Sequence, residues 1–307
     1  MNLRGFININ KPENLTSFDV VREIRKVTNV KKVGHAGTLD PDATGVLPIA
    51  VGQATRLLPL LVDSTKRYQG IIRFGITTDT YDSSGIITAE KNASNLTRST
   101  VNENLKHFSG ETFQVPPAYS AIKKNGVRAY SIARKGGIVD LQPRKVRAIE
   151  LKLRKFDTHN PQYPAAEIEI FCEKGFYIRS LAHDLGKKLG TGAHLEKLSR
   201  TQVGMFKLEN SVDLYRAKSL LENGITDEIV KNIDTVLEHW PAIIIGASDA
   251  NRIYNGQNIV FTNTKILSKQ KNSIKARCYG PNGELIALVK KNETSESWHP
   301  YKVINPD

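Results

Sequence analysis

The sequence predicts an α+β chain that ends in a small β-barrel, and three features predict it. Residues 166–172 alternate apolar and polar side chains as a half-buried strand does. Val20, Ile24 and Val27 recur at helical spacing, as do Ile178, Leu181, Ala182, Leu185 and Leu189. After Trp240-Pro241 the chain breaks into short strand-like pieces punctuated by Asn255-Gly256 and Asn282-Gly283, both hairpin signals.

Composition narrows the function classes. The 307 residues are 39% hydrophobic and 24% charged, enough for one large domain plus a small one, or for two comparable ones. There is no run of about 18 apolar residues and no apolar signal-peptide core, so a cytoplasmic protein with no membrane partner is expected. Cys172 and Cys278 lie far apart and outside any CxxC pair, which argues against zinc, and Cys172 reads as a buried thiol in a strand. No GxGxxG or GxxxxGK[ST] is present, so no nucleotide cofactor is expected. The net charge of +13 points to a polyanion, with nucleic acid first, because lysine and arginine neutralise phosphates.

Taken in order, Phe6-Ile7-Asn8-Ile9 suits a short strand that Lys11-Pro12 stops. Thr16 or Ser17 can cap a helix with Asp19 in its first turn, running to about Thr28. Residues 34–48, from Gly34 to Pro48, then hold three glycines, two prolines, a histidine and two acids in fifteen positions. Pro41 pushes Asp40 out of the helical region, so Asp40 is expected on a stiff loop with its carboxylate held in one direction. An Asp-Pro pair alone is more often a simple turn opener. Residues 47–52 are apolar, and 54–61 can form a short helix.

Tyr68 precedes a strand over 70–75, where the bland reading is an aromatic at a strand edge packed on the core. Residues 77–85 are turn-rich and 89–100 read as a loop. A helix is expected over 101–108, and Pro116-Pro117 forces extended backbone. From residue 121 to 155 there are eleven lysines and arginines against Asp140 and Glu150, a run that suits either a solvated face or a nucleic-acid grip. Arg179 falls at a strand-to-helix junction, and Gly190 stops that helix. His194 reads as structural. Residues 205–240 read as helices and loops. Residues 243–245 open the terminal barrel, whose stretch 262–279 carries five basic residues and no acid.

Together Gly34-His35-Ala36-Gly37-Thr38-Leu39-Asp40-Pro41-Asp42-Ala43-Thr44-Gly45-Val46-Leu47-Pro48 resembles the active-site motif of the TruB family of pseudouridine synthases, which isomerise uridine 55 in the T-loop of tRNA. Lys11-Pro12, Lys66-x-Tyr68, Thr78-Asp79-Thr80-x-Asp82-x-x-Gly85, residues 113–121, Gly175-x-Tyr177-Ile178-Arg179-Ser180 and residues 192–201 are similar to further motifs of that family, in the family's order. The likeness spans nearly all of the chain to about residue 205, and the end more loosely resembles a PUA domain.

The resemblance implies a pseudouridine synthase fold with a central mixed, mainly antiparallel sheet flanked by helices. It implies a catalytic domain over 1–240 with a basic tRNA-binding insertion at about 121–155, and a PUA-like domain over 241–307 that takes the acceptor end of tRNA. It makes Asp40 the catalytic group, with Lys11 supporting its loop. His35 would fill the space left by a flipped base or brace the loop. Tyr68 would stack on that base, Tyr177 and Leu198 would line the substrate pocket, and Arg179 would hold Asp40 ionised and aimed. Asp42 is expected at the surface.

The reaction gains and loses no atoms, so neither a metal nor a cofactor is expected. A carboxylate can serve it by attacking the sugar, stabilising a sugar cation or removing the 2′ proton. The expected protein is a stand-alone monomer that needs tRNA and no obligate protein partner. The competing readings are a guide-RNA-dependent synthase, a non-catalytic tRNA-binding or folding chaperone, and metal-dependent phosphoryl transfer through Asp40 and Asp42.

Overall fold

The computed structural model describes residues 3–120, 122–124, 126–137, 139–260, 266–267 and 274–305. Strand β1 (Gly5–Lys11) is buried on both faces, as an inner strand of a covered sheet should be. Helix α1 (Ser17–Thr28) follows, and its start is fixed reciprocally: Thr16 accepts from the Asp19 N–H while Asp19 accepts from the Thr16 N–H. Val20, Val21 and Ile24 form its buried face, each contributing about 1.5–3 kcal/mol of burial. That face packs with Ile7, Ile9, Leu47, Ile49, Leu214, Ala217 and Leu221.

The main sheet adds β2 (Val33–His35), β3 (Thr44–Val51), β4 (Lys66–Phe74), β5 (Gly110–Gln114), β6 (Arg144–Asp157), β7 (Ala165–Cys172), β8 (Ala193–Val203) and β9 (Val212–Asp213). Its order is β9-β1-β3-β8-β4-β7-β6-β5, with β2 against β3. Pairings β1/β9 and β3/β8 are parallel and the other pairs along this path antiparallel, so the sheet is mixed and mainly antiparallel. Helices α2 (Arg98–Leu105) and α3 (Ile178–Leu189) cover β4, β6 and β7 through Val101, Leu105, Leu181 and Leu185 against Ile72, Phe74, Val146 and Ile168. Helix α4 (Leu214–Glu222) starts at Asp213, whose side chain accepts from the N–H groups of Tyr215 and Arg216.

The last part forms a second sheet of β10 (Ala242–Ile244), β11 (Ile259–Val260), β12 (Ile266–Leu267), β13 (Lys275–Tyr279), β14 (Leu285–Lys291) and β15 (Ser297–Val303), in the order β11-β15-β14-β13-β10-β12. Among the described residues no pairing joins the two ends of that order. Helix α5 (Ala247–Tyr254) packs on it through Ala250 and Ile253. The two sheets share a core in which Leu285, Leu288 and Ile304 meet Leu57, Leu61, Val203, Phe206 and Leu237.

Several expectations need correction. Asn255-Gly256 is not a hairpin: Asn255 closes α5 and Gly256 follows in the left-handed region that ends a helix (φ 73°). Asn282-Gly283 does join two antiparallel strands, β13 and β14. Residues 205–240 hold helices and loops as expected, but Phe206–Lys207, Val212–Asp213 and Val230–Lys231 also extend the main sheet. Tyr68 lies on β4 between β7 and β8, away from any sheet edge. Residues 87–90 are a strand, and Thr97 caps α2 earlier than the apolar spacing suggests.

The basic run divides. Only its first part leaves the sheet, as a small hairpin and a helix Ala129–Ala133, with Ala121, Asn125 and Ile138 outside the described residues. Its second part is β6, where Lys145, Arg147, Lys152, Arg154 and Lys155 pair with Glu111, Glu173, Glu150, Glu169 and Asp157. Most of the basic stretch 262–279 also lies outside the described residues.

Gly45 (φ 101°) is where β3 meets β8, and a Cβ there would sit 2.3 Å from the Arg200 carbonyl oxygen. Gly190 (φ 73°) has open space around it. Gly45→Ala should therefore cost more than about 2 kcal/mol and Gly190→Ala about 1 kcal/mol in urea unfolding; equal costs would contradict this packing.

Candidate active site

Asp40 sits on a loop between β2 and β3, and nearly every restraint on that loop comes from distant sequence. Ser17, at the start of α1, accepts from the Leu39 N–H at 2.8 Å and donates to the Leu39 carbonyl at 3.1 Å. The Asp40 carbonyl accepts from the Ala43 N–H at 3.1 Å, closing the turn that Pro41 imposes. Lys11, fully buried at the end of β1, donates to the carbonyls of Pro12, Leu15 and Pro41 at 2.8, 2.7 and 2.8 Å. Lys11 is therefore no solvated lysine at a strand end. Burial pushes its ammonium down to about 8, against the opposing pull of Asp42, Asp40 and Glu13.

From the opposite side Arg200, fully buried on β8, donates to the carbonyls of Val46, Gly37 and Thr38 at 2.8, 3.0 and 3.4 Å. The loop is thus pinned between a lysine and an arginine that have no water to fall back on. Each backbone oxygen they hold is fixed more firmly than a neutral partner would fix it.

Arg179 reaches Asp40 from the first turn of α3. Its Nε lies 3.0 Å from Asp40 Oδ2, and its Nη2 donates to Oδ1 at 3.3 Å. This is the two-pronged geometry that suits a planar guanidinium and a carboxylate. The same guanidinium donates to the carbonyls of Thr80 and Tyr119 at 3.2 and 2.9 Å and pairs with Asp82 Oδ2 at 3.3 Å. Arg179 is only 7% exposed at its side chain, whereas Asp40 is 42% exposed. One face of the carboxylate is therefore clamped and another is open. Protein crowding raises the Asp40 carboxyl above its ordinary value; Arg179 opposes this, while Asp82 and Asp42 add to it.

Tyr68 on β4 pairs across strands with Arg200 on β8, and its hydroxyl meets the guanidinium. Burial raises its phenol, Arg200 opposes, and the charge of Asp40 is felt there too. Tyr177 caps α3 at its N-terminus and is locked to Gln114 by a reciprocal pair of bonds. Its half-buried ring feels both Arg179 and Asp40. Leu198 faces Gly70 across β8/β4 and packs with Tyr68 on the same apolar cluster.

The structure thus gathers Asp40, Arg179, Tyr68, Tyr177 and Lys11, with Leu198 on the neighbouring strand against the same apolar cluster as Tyr68. His35 stands apart. Burial lowers its imidazole, the charge next in weight is Arg200, and its Nδ1 has no partner among the described residues. Asp42 is exposed. His194 bonds the Ile76 carbonyl at 3.0 Å, a structural contact. Among the described residues no three His, Cys, Asp or Glu side chains cluster as a metal centre would.

Sequence reasoning did not single out Arg200 or Asp82. Asp82 had a signal in the Thr-Asp-Thr-x-Asp spacing. Arg200 stood within the family-like stretch 192–201, but its role is visible only once the carbonyls around it are placed.

Two family models together match residues 25–238. Residues 25–178 match the N-terminal domain of TruB family pseudouridylate synthases. Residues 179–238 match the C-terminal domain of tRNA pseudouridylate synthase B. A curated relative from Dehalococcoides mccartyi, named tRNA pseudouridine synthase B, is 39% identical over 98% of this chain and 96% of its own length. One of the same name from Gloeothece citriformis is 42% identical over 94% and 91%. Among solved structures, an H/ACA ribonucleoprotein bound to a substrate RNA containing 2′-deoxyuridine has a chain that aligns with a TM-score of 0.72 at 25% identity, covering 98% of this chain and 85% of that one.

Replacing Arg200 by Met should take a charged donor from the buried Val46 carbonyl and from the more open Gly37 and Thr38 carbonyls, and cost on the order of 2–3 kcal/mol in urea unfolding. A cost below about 0.5 kcal/mol would show that the loop does not depend on it.

Proposed function

The chain belongs to the TruB family of pseudouridylate synthases, and from that membership we propose that it converts uridine 55 in the T-loop of tRNA to pseudouridine, acting alone. The observation that carries the reading is the two-pronged Arg179–Asp40 pair, clamped on one side and open on the other. In the reaction the N1–C1′ bond breaks, the base turns, and C5 joins C1′. The C5 proton leaves and N1 gains one, so the atoms balance without an added group.

Asp40 is the catalytic carboxylate. Its chemistry calls for an ionised oxygen at the sugar, and Arg179 keeps that form available and fixed in direction. The target base lies within a folded loop of RNA and must be turned out to reach Asp40. Tyr68 offers a ring for it to stack on, Leu198 and Tyr177 line the pocket, and Lys11 holds the Asp40 turn from beneath. His35 serves as a brace near the Arg200 clamp.

Residues 1–240 form the catalytic domain, from which the basic hairpin and helix before β6 reach for tRNA. Tyr130 there lies against Arg128 and Arg134, a cationic and aromatic surface suited to RNA. Residues 241–307 form a PUA-like domain for the acceptor end, supported by the six-stranded sheet capped by α5. The enzyme works as a monomer in the cytoplasm, where its tRNA substrate is.

With T-arm RNA tritiated at uridine C5, wild type should release tritium without added metal or cofactor. Asp40→Asn should bind the RNA within about threefold of wild type and release at least about 10³-fold more slowly. Full activity in that variant would overturn the assignment.

The acid side of the pH–rate profile should report Asp40. Its carboxyl is raised, so activity should fall below a pH that lies above the ordinary carboxylate value of about 3.9. Asp42→Asn removes a like charge, which lowers the Asp40 carboxyl and should move that inflection to lower pH. An inflection that moves upward would contradict the electrostatic account.

A further inference from the structure

Three described non-glycine residues have left-handed backbone: Asn14, Asn29 and Tyr81. Asparagine visits that region readily, but for an aromatic residue it costs about 1–2 kcal/mol. Tyr81 (φ 65°) lies between Thr80 and Asp82, and both neighbours meet Nη1 of Arg179, at 3.2 and 3.3 Å. The left-handed turn brings a carbonyl and a carboxylate two residues apart onto one nitrogen.

The remaining contacts show how the turn is held. Asp82 Oδ1 accepts from Thr80 Oγ1, Ser84 Oγ and the Ser84 N–H at 2.6, 2.6 and 3.1 Å, which leaves Oδ2 for Arg179. The Tyr81 carbonyl accepts from the Leu195 N–H at 2.9 Å, tying the turn to β8. The Tyr81 ring stacks on His183, with centroids 3.9 Å apart and planes 18° apart. His183 is four residues after Arg179 on α3 and so shares its face. Its Nδ1 is buried with no partner among the described residues, as suits a neutral ring. One helix face therefore carries both the guanidinium and the ring that braces the turn feeding it.

We infer that the Tyr81–His183 stack is a positioning device: it holds Thr80 and Asp82 on Arg179, and through Arg179 it sets the direction of Asp40. Neither ring touches the reacting atoms. The role rests on Asp40 being the catalytic carboxylate.

The test compares kcat and KM on full-length tRNA, with the melting temperature of each variant. Tyr81→Asn keeps a residue that accepts the turn but removes the ring. His183→Ala removes the other ring, and His183→Phe restores a stacking surface without a titrating group. Tyr81→Asn and His183→Ala should each lower kcat about tenfold at unchanged KM, and the double variant should be no slower than either. His183→Phe should recover most of the rate.

Wild-type kcat in both single variants would overturn the inference. So would a joint fall of kcat, KM and melting temperature that His183→Phe does not repair, since that marks a merely structural stack. Asp40→Asn in the same assay separates the two levels. Its inactivity leaves the site assignment standing whatever the ring variants do, and its full activity would overturn that assignment and this inference with it.

Discussion

A single buried guanidinium, that of Arg179, meets two carboxylates and two backbone carbonyls, and three loops remote in sequence converge on it. Asp40 comes from the loop after β2, Thr80 and Asp82 from the turn after β4, and Tyr119 from the extended segment after β5. An arginine this buried is costly unless each of its donors is used, and removing one partner of such a set leaves charge without compensation. The constraint works in both directions. The loops need Arg179 to neutralise their acids, and Arg179 needs the loops to replace water. Placing it in the first turn of α3 ties the arrangement to the packing of that helix against the sheet.

Asp40 is also held from behind. Lys11 and Arg200 together bind six carbonyl oxygens, four of them within residues 37–46. Both cations are buried and both are pushed below their ordinary values by that burial. A neutral scaffold would be cheaper to build. Cations instead give short, directional bonds to the backbone of a loop that has little apolar surface of its own. The outcome is a carboxylate whose position is settled before any substrate arrives, the condition under which electrostatic stabilisation is most effective.

Much of this was legible in the sequence because glycine, proline and charge leave marks there. The density of Gly and Pro around Asp40 announced a rigid loop, and the resemblance of Gly175-x-Tyr177-Ile178-Arg179-Ser180 to a family motif implied that Arg179 meets Asp40. Other features were not legible. Asn255-Gly256 looks like a hairpin and is a helix end, since the same left-handed residue serves both. The basic run to Lys155 looked continuous, yet its second half is a sheet strand whose cations meet acids on β5, β7 and β6 itself. Arg200 and the Tyr81–His183 stack join residues more than 100 apart or across a turn that local pattern cannot foresee.

The clearest test of the account is Arg179→Lys, which keeps the charge and removes the fork. Single-turnover pseudouridine formation on saturating tRNA isolates the chemical step from binding. The account predicts a fall of about 10²-fold with tRNA affinity unchanged, because a point charge cannot hold both carboxylate oxygens. A lysine variant that forms pseudouridine at the wild-type rate would show that the direction of Asp40 is set by something other than Arg179.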